Sequence, residues 1–148
     1  MNIQDSLIEA MKAAMKAKDA LRLATIRLAR TAIKNKEIEQ RCELDGAAAI
    51  AVLSTLVKQR KESAQLYREG GRLELAEKEE QEVAVLQEFL PSQLSEDEIR
   101  ALVEEAVAET GASSMKQMGA VMKIVTGKTR GRADGRLVSD LVKARLTV

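Results

Sequence analysis

Residues 113–125 read SSMKQMGAVMKIV, residues 126–135 read TGKTRGRADG, and residues 136–148 read RLVSDLVKARLTV. The first segment repeats Met115, Met118 and Met122 at helical spacing. The third does the same with Leu137, Val138, Leu141, Val142 and Leu146. Between them Gly127, Gly131 and Gly135 punctuate a run with no apolar periodicity, which predicts a loop at 126–135. Ser114 with Gln117 predicts a capping box for the helix before the loop, and Asp134 an N-cap for the helix after it. Glycine admits backbone conformations closed to other residues and lets a partner approach the amides. Lys128, Arg130, Arg132 and Arg136 lie among these glycines at the start of a helix, an arrangement that suits an anionic partner.

Upstream the pattern is again helix after helix. Ile3, Leu7, Met11, Ala14 and Met15 form one apolar stripe, and Asp19 offers an N-cap to a helix carrying Ile26, Ala29 and Ile33. A polar break at 41–45 precedes a third helix with Ile50, Leu53, Val57 and Ala64 on one face, ended by Gly70 and Gly71. A fourth, acidic helix is predicted over 73–90, with Val83, Leu86 and Leu90 on its buried edge. Pro91 is the sole proline and marks a boundary. Beyond it Ser95 and Glu98 make a capping box for a helix carrying Ile99, Leu102, Val103 and Val107, which stops at Thr110-Gly111. No segment alternates with the period of a strand. The predicted fold is all-α, with a four-helix domain at 1–90 and a smaller three-helix domain at 91–148.

Composition narrows the function. With 45% apolar and 32% charged residues over 148 positions, the chain can bury a core and stay folded. The aromatics are Tyr67 and Phe89 alone, which argues against a base-stacking platform. The net charge of +1 makes no case for nucleic acid over the whole molecule, so any such case is local. Cys42 stands alone without a histidine to activate it, and reads as an incidental thiol in a reducing cytosol. The polar, amphipathic start is unlike a signal peptide, and no apolar run reaches membrane-spanning length, so the expected location is cytoplasmic.

Charge is unevenly distributed. From Ser113 onward eight basic residues face only Asp134 and Asp140, while residues 91–112 hold six acids against Arg100. A basic run spans Lys16 to Lys36 and an acidic one Glu69 to Glu88. Such runs on amphipathic helices are usually solvated faces paired within the fold. The interleaved glycines and cations of the loop lack that explanation.

Enzyme readings find little support. Gly127-Lys128-Thr129 imitates the end of a P-loop, but that motif needs glycine where Met122 stands and a strand where a helix is predicted. There is no histidine, and Glu79, Glu80 and Glu82 lie on a charged helix without convergent metal-ligand spacing. Acids from Glu77 to Glu88 are too numerous for any hydrolytic pair to stand out. The methionine series has the spacing of a buried helix face, with a soft partner-binding surface as the lesser alternative.

The run from Gly111 to Lys116, Met118-Gly119 with Val121-Met122, and Gly131-Arg132-Ala133-Asp134-Gly135 with Leu137-Val138 together resemble the signature of the YqeY family. The same signature marks the related tail domain of GatB, the B subunit of the glutamyl/aspartyl-tRNA amidotransferase. The similarity continues in residues 56–63, in Glu77-Lys78-Glu79-Glu80 and in Phe89-Leu90-Pro91 with Gln93-Leu94-Ser95, and so covers nearly the whole chain. Proline often stands in the family where this chain has Gly127, and Lys123 and Thr126 are also atypical, which implies a different helix end and a more mobile basic loop. The resemblance implies a two-part helical fold and a role in holding tRNA, with glutamine hydrolysis and amide transfer carried out elsewhere in the amidotransferase.

The leading expectation is therefore a free-standing, non-catalytic tRNA-binding accessory module linked to tRNA-dependent amidation or aminoacylation. Its predicted nucleic-acid contacts are Lys123, Lys128, Arg130, Gly131, Arg132, Gly135, Arg136 and Lys143. An aminoacyl-tRNA synthetase or amidotransferase subunit is a further candidate partner. No cofactor, metal, membrane or small-molecule substrate is implied. The alternative is a module docking on a translation enzyme through the Met-rich helix, and the least favoured reading is a carbon–nitrogen ligase with glutamine as amido donor. The sequence leaves open whether the loop pairs with the acidic helix near Glu77–Glu88.

Overall fold

The structure, a computed structural model, describes residues 2–147. The helices are α1 (Ile3–Ala17), α2 (Ala20–Gln40), α3 (Gly46–Glu69), α4 (Leu73–Gln87), α5 (Glu96–Thr110), α6 (Met118–Thr129) and α7 (Gly135–Leu146), with a 3-10 turn at Met115–Gln117. No strand occurs among the described residues, as the periodicity predicted. The chain divides into two compact units, Met1–Pro91 with α1–α4 and Ser92–Val148 with α5–α7.

In the first unit, α2 packs on α1, α3 and α4, and its Ile26, Ala29 and Ile33 stripe meets Leu7, Leu53 and Leu86 in the core. Each large side chain buried this way contributes about 1.5–3 kcal/mol of transfer free energy. Asp19 caps α2 as predicted, accepting from the Arg22 N–H at 3.1 Å, and Asn2 and Asp45 cap α1 and α3 in the same way. Two sequence expectations shift by a residue. Ala49 rather than Ile50 lies fully inside on α3, because the stripe Ala49, Leu53, Val57 repeats at four residues. Met15 lies outside at 51% exposure, since α1 turns Leu7 and Ala14 inward. The acidic α4 stops at Gln87 and pairs along α3, with Arg60 to Glu82 at 3.1 Å and a two-pronged contact from Arg68 to Glu80 at 2.7 Å.

In the second unit α5, α6 and α7 enclose Ile99, Val103, Ala106, Val121, Val125, Val138, Val142 and Leu146. The Ser95–Glu98 capping box forms with both of its hydrogen bonds, and Gly111 closes α5 with φ at +67°. The capping box predicted at Ser114 and Gln117 does not form. Ser114 makes no capping bond, and Gln117 instead accepts the Ser113 N–H at 2.7 Å while the chain turns through the 3-10 segment. The loop predicted at 126–135 is also shorter. Residues 126–129 remain in α6, because Val121, Val125 and Thr129 continue one buried stripe. The polar end of that stripe is satisfied by the Thr129 hydroxyl donating to the Val125 carbonyl at 2.9 Å. Proline inside this turn would remove a helical hydrogen bond, whereas Gly127 lets the helix run on.

Candidate nucleic-acid interface

Five residues, Arg130 to Asp134, join α6 to α7. The Arg132 N–H donates to the Thr129 carbonyl at 2.8 Å, a tight return that holds Gly131 at φ +75°, where a side chain would be strained. The loop is then laced to the segment that enters α5. Gln93 Nε2 donates to the Gly131 carbonyl at 3.0 Å, and the Leu94 N–H to the Arg132 carbonyl at 2.8 Å. Arg132 Nε completes the set by donating to the Ser92 carbonyl at 3.1 Å. At the far side Asp134 accepts the Arg136 N–H at 3.1 Å and caps α7.

The predicted site residues fall into two groups. Arg132 is half-buried, clamps Ser92, and also lies near Glu98. The Glu98 carboxyl is held below its ordinary value first by the Ser95 backbone N–H, then by the Ser95 hydroxyl, with Arg132 adding a smaller charge effect. Lys128, in the last turn of α6, faces Glu105 of α5 at 3.6 Å. Arg145 likewise meets Glu104. These two acids of α5 thus neutralise part of the C-terminal positive charge. Being exposed, such pairs are weak and yield readily to a stronger anion.

The second group is free. Lys123, Arg130, Arg136 and Lys143 are exposed, and among the described residues none of the four forms an ion pair. Lys123 lies on a side of α6 that also exposes Gly119, Ala120 and Gly127, and Arg130 follows the helix at its C-cap. A Cβ added at Gly119, Gly127 or Gly135 would meet nothing, so the backbone there is open to solvent. Arg136 and Lys143 lie two turns apart on α7, with the exposed Asp140 between them as a local counter-charge. The sequence reading missed Ser92, Gln93 and Leu94 as the loop's anchors. Their signal was present, since Gln93 and Leu94 belong to the same signature as Gly131 and Arg132.

The methionine series is divided too: Met118 and Met122 pack against the core, whereas Met115 is 40% exposed. No helix among the described residues is long and apolar enough to cross a membrane.

Comparison with known proteins bears on this arrangement. A family model described as "Yqey-like protein" matches residues 4–146. The chain is 37% identical over 141 residues to "Altered inheritance of mitochondria protein 41, mitochondrial" of Lachancea thermotolerans, covering 92% of this chain and 74% of that protein. A protein of the same name from Vanderwaltozyma polyspora is 42% identical over 83 residues, 55% of this chain and 45% of its own length. A shorter match, 40% over 57 residues, joins 36% of this chain to 9% of a glutamyl-tRNA(Gln) amidotransferase subunit from Thermococcus gammatolerans, and supports the relationship to the amidotransferase tail. The cytoplasmic location expected from the polar start is corrected by the yeast relatives, which are named as mitochondrial proteins. The polarity of the first residues does not fix a compartment.

Proposed function

Because this chain belongs to the YqeY-like protein family, we propose that it is a non-catalytic accessory module that binds tRNA, in the setting of tRNA-dependent amidation or aminoacylation. The observation that carries the reading is the set of exposed, unpaired cations Lys123, Arg130, Arg136 and Lys143 beside a loop held in place by Arg132. Arg130 and Arg136 contact phosphates, and the open backbone at Gly127 and Gly135 admits the sugar–phosphate chain closely. Gly131 and Arg132 act behind this surface by shaping the loop. Phosphate contacts carry no sequence information, so selection of tRNA rests on its shape. The archaeal relative, named for a glutamyl-tRNA amidotransferase, supports the assignment to tRNA metabolism.

The test is a titration of unfractionated tRNA at several salt concentrations, with the chain and with Arg130→Glu/Arg136→Glu. Each lost phosphate contact flattens the log–log salt slope by about 0.7–0.9, so the double variant should show a slope smaller by roughly 1.4–1.8. Equal binding by the two proteins would remove the site from this loop. Absence of binding at low salt would remove the function. The Met-rich helix gives a docking alternative less support, since only Met115 of its three methionines lies substantially outside the core.

A further inference from the structure

The first unit holds a groove of about 510 Å3 between α1 and α2. Its apolar lining comes from Leu7, Ile8, Met11 and Ile33, and its cations are Arg27, Arg30 and Lys34 of α2. The one acid in the lining, Glu37, is already engaged: its Oε2 accepts the Leu44 N–H at 2.9 Å and Gln4 Nε2 at 3.5 Å. Arg30 reaches across to donate from Nη1 to Met11 Sδ at 3.3 Å, and a thioether is a poor acceptor for a guanidinium. Among the described residues Arg27, Arg30 and Lys34 form no ion pair, although Arg22 and Lys36 of the same helix pair with Glu88 and Glu39.

Apolar side chains extend this lining in both directions. Met15 continues the Ile8–Met11 row of α1 at 51% exposure, and Ile38 continues the Arg27–Thr31–Lys34 row of α2 at 67%. The α1 row then covers about two helical turns, roughly 10 Å at the ordinary rise, and the α2 row about three, roughly 16 Å. Methionine suits an interface because its unbranched thioether adapts to an incoming surface. The cations recur at i, i+3 and i+7, the spacing at which acidic side chains recur along one edge of a helix.

We propose that this groove docks an amphipathic helix of a protein partner. The partner's apolar stripe lies on Ile8, Met11 and Met15, and its Asp and Glu side chains meet Arg27, Arg30 and Lys34. Such a helix-in-groove contact takes its affinity from the apolar face and its selectivity from the charged edge. An RNA backbone would use the cations and leave the apolar row uncovered, and neither Tyr67 nor Phe89 lines the groove to stack a base.

The probe is a helical peptide of about 18 residues, long enough to span the groove, with leucine along one stripe and glutamate along its edges. It is titrated into the full 15N-labelled chain beside a control peptide with lysine for glutamate, and beside tRNA. The acidic peptide should shift the amide signals of Ile8, Met11, Thr31 and Lys34, and the lysine peptide should not. Arg27→Glu/Arg30→Glu/Lys34→Glu should weaken the peptide about tenfold or more, whereas Arg130→Glu/Arg136→Glu should leave it unchanged. Thr31→Glu places a carboxylate at an exposed position among the three cations. It should also weaken binding, and keeps the test decisive if the triple reversal fails to fold. Absence of binding by the acidic peptide, equal binding by the lysine peptide, or full affinity in Thr31→Glu would overturn the proposal. Groove signals that move with tRNA and not with the peptide would reassign the surface to RNA.

Discussion

Glu79 and Glu80 are adjacent on α4 and titrate in opposite directions. Glu80 lies against the Arg68 guanidinium, whose hydrogen bonds hold its carboxyl below the ordinary value. Glu79 is pushed up, first by burial and then by the neighbouring Glu82 charge, which together outweigh Arg60 and Lys78. A carboxyl raised by folding favours the folded state below its unfolded pKa, and that contribution is lost as pH rises through the folded value. At neutral pH the ionised Glu79 is therefore a liability. Glu79→Gln should raise the melting temperature at pH 7, with the gain vanishing below the ordinary glutamate pKa; a lower melting temperature at pH 7 would contradict the assigned cause. Glu98 has the opposite sign, since its carboxyl is lowered by the Ser95 N–H, and its contribution is lost as pH falls through the lowered value. Single residues were legible where chemistry is local: Asp19, Ser95 and Asp134 all cap as their positions predicted. Ile50 and Met15 were misplaced because residues one apart on a helix often straddle the edge of its buried face.

At the scale of the element, α6 shows how a helix can hide in a glycine-rich basic run. The visible signs at 126–129 were a glycine and a lysine without apolar neighbours, yet the four-residue stripe Val121, Val125, Thr129 carries the helix through. Gly127 therefore occupies a helix interior where an added Cβ would meet nothing. Gly127→Ala should stabilise the protein by about 0.5–1 kcal/mol, through higher helix propensity and a less flexible unfolded chain. Thermal and urea unfolding would register it, and a destabilised variant would mean that the open backbone there is already covered in the folded protein. The 3-10 turn was invisible for a related reason. Serine with glutamine three residues later fits a capping box, but the same glutamine side chain can take the amide of Ser113, and the local sequence does not choose between the two partners.

Across the whole molecule the net charge of +1 leaves little long-range attraction for a polyanion, so affinity for RNA depends on how local charge is partnered. Glu104 and Glu105 of α5 shield Arg145 and Lys128. On the tRNA reading, Glu104→Gln/Glu105→Gln should strengthen tRNA binding roughly two- to fivefold at low salt, a gain lost at high salt as the charges are screened. Unchanged affinity at low salt would show that these two cations lie outside the contact. The sequence by itself determined that the chain is all-helical, because apolar spacing, caps and glycine stops are written in neighbouring residues. It also determined the family, through a signature spread over nearly the whole length. Tertiary structure alone decided which cations are committed and which are free. Arg132 meets Ser92 and Lys128 meets Glu105 across separations that no local pattern encodes. The same is true of the groove between α1 and α2, where residues from two helices become one surface only once the helices pack.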